Sequence, residues 1–128
     1  MENMSNPRTL IIADDEPLMR QILAQTLMDH GFSVLMAENG NQAFSFVKAN
    51  RVDLVVTDLN MPQGGGLGLL KSLHESEFKN MPVIVMTGNP ESYSKKDLYG
   101  ATILFKPFRR QELVELVKSI LNDKPEGQ

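Results

Sequence analysis

The chain has 128 residues, 41% of them hydrophobic, and 13 basic against 16 acidic side chains for a formal charge of −3. That is one domain's worth of chain with enough apolar mass for a core, which excludes disorder and collagen-like repeats. The mild acidity makes nucleic acid and anionic membrane poor default partners, and the lack of cysteine excludes disulfides, thiolate metal sites and a cysteine nucleophile. The opening segment, residues 1–8, has no apolar stretch of a signal peptide, and no apolar run approaches the ~20 residues of a membrane helix. A cytoplasmic protein is expected.

Taken in order, the first apolar run is Thr9-Leu10-Ile11-Ile12-Ala13. A helix follows from Pro17, with Leu18, Ile22, Leu23 and Leu27 at helical spacing and Gly31 as its stop. Ser33-Val34-Leu35-Met36-Ala37 is the second run, and 41–49 the second helix, around Phe44 and Val47. The third run is Leu54-Val55-Val56-Thr57, followed by a helix over 67–78 carrying Leu70 and Leu73. The fourth is Val83-Ile84-Val85-Met86. The next segment, 90–98, is the weakest helix, anchored only by Tyr93 and Leu98. Ile103-Leu104-Phe105 is the fifth run, and 111–121 the clearest helix, striped by Leu113, Leu116, Val117, Ile120 and Leu121. Short apolar runs without polar alternation suit strands buried on both faces of a parallel sheet. Alternation with helices predicts an α/β fold of (βα)5 type, doubly wound, with a short or poorly ordered fourth helix. Residues 1–8 read as a tail, 9–121 as the domain and 122–128 as a tail or linker stub.

In such sheets a ligand sits beyond the C-terminal strand ends, so the residues there carry the functional information. Strand one ends in Asp14-Asp15, strand three in Asp58, strand four in Thr87 and strand five in Lys106-Pro107. Each has an ordinary reading alone: the acids as helix caps, Asp58 as a turn opener, Thr87 as a strand-to-loop residue, Lys106 as a solvated lysine. Together they do not. Three carboxylates near one point repel unless a cation joins them. Oxygen ligands with no His or Cys nearby favour Mg²⁺. A carboxylate nucleophile, a divalent cation, an ammonium and a hydroxyl make a phosphoryl-transfer site.

The segments Ala13-Asp14-Asp15-Glu16-Pro17, Thr57-Asp58-Leu59-Asn60-Met61-Pro62, Met86-Thr87-Gly88 and Phe105-Lys106-Pro107-Phe108 resemble the motifs of response-regulator receiver domains of two-component signalling. The resemblance runs from Thr9 to Leu121. It implies a flavodoxin-like sheet of strand order 2-1-3-4-5. It also implies that Asp58 accepts a phosphoryl group from a sensor histidine kinase or a histidine phosphotransfer protein. Asp15, Asp58 and the backbone carbonyl of Asn60 would ligate Mg²⁺, with Asp14 acting through a bound water. Thr87 would hydrogen-bond a phosphoryl oxygen, Lys106 would pair with Asp58 and then with the phosphoryl group, and the Lys106-Pro107 bond would be cis. The output would be a changed protein-interaction surface, read by a downstream protein or a fused effector domain. No separate enzymatic activity is implied beyond self-phosphorylation from a phosphodonor and autodephosphorylation.

Three features depart from the family pattern. Ile103 stands where an aromatic is common, with Phe105 on the same face of its strand. The interval from Thr87 to Lys106 is short and its helix poorly patterned. Gly64-Gly65-Gly66 predicts a soft loop after the phosphoacceptor segment. Two rivals remain: a receiver fold that acts as an interaction module without phosphorylation, and an intermediate phosphate carrier. A haloacid-dehalogenase-like phosphatase fits poorly because strand one ends in adjacent acids. A flavodoxin fits poorly because those acids would repel a flavin phosphate. No P-loop sequence is present.

Overall fold

A computed structural model of the chain describes residues 7–62 and 65–122; the tails read from the sequence at 1–6 and 123–128 lie outside it, as does Gly64. Five strands, β1 (Thr9–Ala13), β2 (Ser33–Ala37), β3 (Leu54–Asp58), β4 (Val83–Thr87) and β5 (Thr102–Phe105), form one parallel sheet of order β2-β1-β3-β4-β5. Among the described residues the α-helices are α1 (Pro17–Met28), α2 (Gly40–Ala49), α3 (Gly65–His74) and α4 (Arg110–Leu121).

Strand alternation divides the core into two layers. Leu10, Ile12, Leu54, Val56, Ile84 and Met86 pack with Leu23 and Leu27 of α1 and Leu113 and Val117 of α4. Ile11, Ala13, Val55 and Val85 face the other way, onto Ala43 and Val47 of α2 and Leu69, Leu70 and Leu73 of α3. Burial on both faces holds for β3 and β4, and for β1 after its first residue. It fails for β2 and β5, which are the sheet's edges: Met36 and Phe105 are exposed. Leu18 is also exposed, because at 3.6 residues per turn it lies about half a turn around α1 from buried Leu27.

The boundaries of the helices have local causes. The Asn39 side chain accepts the Gln42 N–H at 2.8 Å, so α2 begins at Gly40. Helix α4 begins at Arg110 because the Arg109 N–H is taken by Glu112 Oε1 at 2.6 Å. Helix α3 starts two residues earlier than predicted, so Gly65 and Gly66 form its first turn and not a loop. It ends four residues earlier because Ser76 turns its hydroxyl and its N–H onto the Leu73 carbonyl.

Between β4 and β5 a single 3₁₀ turn, Lys95–Leu98, replaces the weak fourth helix. Leu98 is buried in the layer that holds α3, as its place in the sequence pattern suggests, and Tyr93 packs against the same layer. Tyr99 then adopts a left-handed conformation at φ 49°, with its ring stacked on His74 at the end of α3, 4.2 Å between centroids.

Candidate functional site

The chain runs from β1 out to β2 and then crosses back to β3 on the other side of β1. That reversal opens the C-terminal ends of β1 and β3 side by side. Asp58 is the last residue of β3 and Asp14 directly follows β1, so both carboxylates start from buried, hydrogen-bonded backbone. Asp15 is exposed at the rim. Carboxylate oxygens of Asp14, Asp15 and Asp58 lie within 4.8 Å of one another.

Lys106 follows edge strand β5, and its N–H is held by the Thr87 carbonyl at 2.8 Å. Its Nζ reaches Asp58 Oδ1 at 3.2 Å. The Lys106-Pro107 peptide bond is cis. One ammonium thus faces three carboxylates. Asp14 shows the imbalance most clearly. Its Oδ1 accepts the Glu16 N–H at 2.9 Å, while Oδ2 is buried with no hydrogen-bond partner among the described residues. Burial pushes its carboxyl above the ordinary range, and the charges of Asp58 and Asp15 add to the rise; the Glu16 N–H and Lys106 oppose it. A buried anionic oxygen without a donor is costly unless a cation meets it. Oxygen-only donors beside an open rim fit a hard divalent ion such as Mg²⁺.

The capping role open to the acids in the sequence is not what the structure shows. Helix α1 is preceded by Glu16, whose side chain makes no cap bond, and Asp14 instead closes a local turn onto Glu16. Asn60 is exposed and shares a surface hollow with Asp15, Leu59, Met61 and Pro62. Thr87 is buried at the end of β4, with its hydroxyl turned to the backbone of Asn89: it accepts the Asn89 N–H at 3.1 Å and donates to the Asn89 carbonyl at 3.3 Å.

Sequence reading missed two residues that shape this end of the sheet. A Cβ on Gly66 would meet the Asp58 carbonyl oxygen at 2.6 Å, and one on Gly40 would meet the Gly65 carbonyl oxygen at 2.5 Å. For Gly66 the signal was present in the glycine triplet, but a glycine that permits close approach reads the same as one that loosens a loop; Gly40 stands alone and carried no signal.

Comparison with known proteins agrees with this geometry. The family model described as response regulator receiver domain matches residues 10–118. The chemotaxis protein CheY1 of Helicobacter pylori is 35% identical over 118 residues, covering 88% of this chain and 95% of that protein. Response regulator Rre1 of Synechocystis is 32% identical over 123 residues, covering 92% of this chain and 53% of that protein. The chain therefore spans about half the length of that relative. A response regulator receiver protein from Pseudomonas putida superposes with a TM-score of 0.83 at 26% identity, covering 91% of this chain and 99% of the other. In fold, in sequence and in the residues at its strand ends, the chain belongs to the response regulator receiver domain family of two-component signalling.

Proposed function

We propose that Asp58 is the phosphoacceptor of a Mg²⁺-dependent transfer from a phosphohistidine on a sensor kinase or a histidine phosphotransfer protein, in the cytoplasm. The unit that acts is 9–121. One observation carries the reading: Asp58 is joined at once to two further carboxylates and to the Lys106 ammonium.

Asp15, Asp58 and the Asn60 carbonyl would hold the ion, with Asp14 acting through a bound water. When bound, the ion neutralises charge on the transferred group. The protein's own residues do the rest. An Asp58 carboxylate oxygen attacks phosphorus, the P–N bond to the donor histidine breaks, and the freed imidazole nitrogen takes up a proton. Lys106 starts on Asp58 Oδ1 at 3.2 Å, close enough to follow the negative charge onto the phosphoryl group. Thr87 must turn its hydroxyl away from the Asn89 carbonyl to donate to that group, which draws on the start of the β4–β5 crossover.

The acyl phosphate adds about −1.5 to −2 charges at neutral pH. The surface that responds is read by a separate downstream protein or a fused effector domain. The missing helix between β4 and β5 favours one second reading, a receiver that signals by protein contact with an altered output face.

The test is incubation with Mg²⁺ and acetyl phosphate, followed by intact mass. One added phosphoryl group is expected, absent in Asp58→Asn and in EDTA. Failure to label, where a known receiver labels, selects the non-phosphorylated interaction module.

A further inference from the structure

Helix α3 begins against backbone, not against side chains. An ideal Cβ on Gly66 would lie 2.6 Å from the Asp58 carbonyl oxygen, 2.7 Å from Leu59 Cα and 2.9 Å from the Leu59 carbonyl oxygen. No rotamer change relieves such contacts, since all three atoms belong to the main chain. The absence of a Cβ brings the Gly66 N–H onto the Leu59 carbonyl at 3.0 Å. On its other side, Leu59 donates its N–H to the Met86 carbonyl at 2.9 Å. The residue after Asp58 is therefore held from β4 through its N–H and from α3 through its carbonyl.

A second close approach backs the first. Gly65 takes φ +55°, a left-handed value that favours glycine. Its carbonyl oxygen lies where a Cβ on Gly40 would be, 2.5 Å away. The Gly65-Gly66 peptide is thus set between the first residue of α2 and the main chain of Asp58 and Leu59. Asp58 precedes the held residue and Asn60 follows it, so the hold bears directly on the Asp58 end of the acidic cluster.

We propose that Gly66 is a positioning residue for the phosphoacceptor: by letting α3 close on the Asp58-Leu59 main chain, it fixes the Asp58 carboxylate in reach of Asp14 and Asp15. This rests on the reading of those acids as a Mg²⁺-binding phosphoacceptor site.

Gly66→Ala and Val117→Ala separate positioning from general stability. Gly66→Ala introduces a Cβ against the Asp58 and Leu59 main chain, whereas Val117→Ala truncates a buried side chain of α4 in the apolar layer on the other face of the sheet. Both should melt at lower temperature than the unaltered chain. In a Mg²⁺ titration followed by amide NMR, Gly66→Ala should bind at least about tenfold more weakly, the usual scale for a lost support of a metal ligand. Val117→Ala should stay within about twofold. Equal Mg²⁺ affinities in all three proteins, or equal losses in both variants, overturn the proposal.

If Gly66→Ala does not fold, the unaltered chain still decides. Mg²⁺ should shift the Gly66 amide and leave Gly31 and Gly100, which precede β2 and β5 at the opposite end of the sheet, in place. A Gly66 amide that stays put overturns the proposal. An unaltered chain whose Asp14, Asp15 and Asp58 amides ignore Mg²⁺ overturns the underlying site reading as well, and so marks the two failures apart.

Discussion

Asp14 is held above its ordinary value of 3.8 chiefly by burial. Its folded form binds a proton more tightly than the unfolded chain does. Metal-free stability therefore falls as pH rises from 3.8 through the raised value, and above that window the charged carboxyl imposes its full cost. Asn in its place keeps the acceptor for the Glu16 N–H and supplies a donor where Oδ2 now has no partner. In EDTA at neutral pH, Asp14→Asn should melt a few degrees above the unaltered chain, on the scale where about 1 kcal/mol moves Tm by several degrees. The difference should shrink as pH falls through the raised value toward 3.8, as the folded carboxyl takes up its proton. Thermal melts across that range check it; an equal or lower Tm at neutral pH would show that the unpartnered oxygen costs nothing. Lys106 contributes differently. Its ion pair with Asp58 is partly exposed, so it adds little to stability and serves to place charge.

Among the elements, the β4–β5 crossover is the least reinforced. Its 3₁₀ turn is four residues long, and it is tied to α3 by Leu98 and by the Tyr99 ring on His74. A non-glycine residue at φ 49° carries about 1–2 kcal/mol of backbone cost, which the stack offsets. Tyr99→Ala loses the ring and keeps most of that cost, whereas Tyr99→Gly loses both. Tyr99→Ala should therefore be the less stable by about 1 kcal/mol in urea denaturation. The reverse order would show that the backbone there relaxes freely.

Much at this scale was legible beforehand. Asp58, Thr87 and Lys106 were placed by apolar runs alone, because strands buried on both faces leave no polar residue to blur where they end. The thin helical pattern of 90–98 also gave fair notice of the 3₁₀ turn. The start of α3 was hidden because glycine has low helix propensity, and tertiary contact with Leu59 overrides it here. Leu18 misled because a helical stripe does not say which of its flanks turns inward. The edge positions of β2 and β5 depend on strand order, which single apolar runs do not encode.

For the molecule as a whole, an ion that binds only the assembled acids links the site to global stability. Saturating Mg²⁺ at a hundredfold over its dissociation constant should stabilise the fold by about 2.7 kcal/mol. Tm should climb with the logarithm of Mg²⁺ concentration in the unaltered chain and stay flat in Asp15→Asn, measured by calorimetry. A parallel climb in both would assign the effect to general screening. The three acids come from strands separated widely in sequence, so the response also reports that β1 and β3 are docked.

The crossover that lacks a helix is also a natural seam for engineering. Glu91 is exposed, and among the described residues Ser92 is held by its hydroxyl and its N–H only to the carbonyl of Asn89, three residues before it. A guest sequence spliced between the two breaks no sheet ladder and enters neither apolar layer, conditions under which insertions are tolerated. Because the same segment begins at Thr87, a fluorescent protein grafted there would stand next to the residue that, under the proposed transfer, would have to turn when Asp58 is modified. Its emission should change on addition of acetyl phosphate and Mg²⁺, and an insertion that folds but stays silent would show that Thr87 moves without dragging the segment behind it.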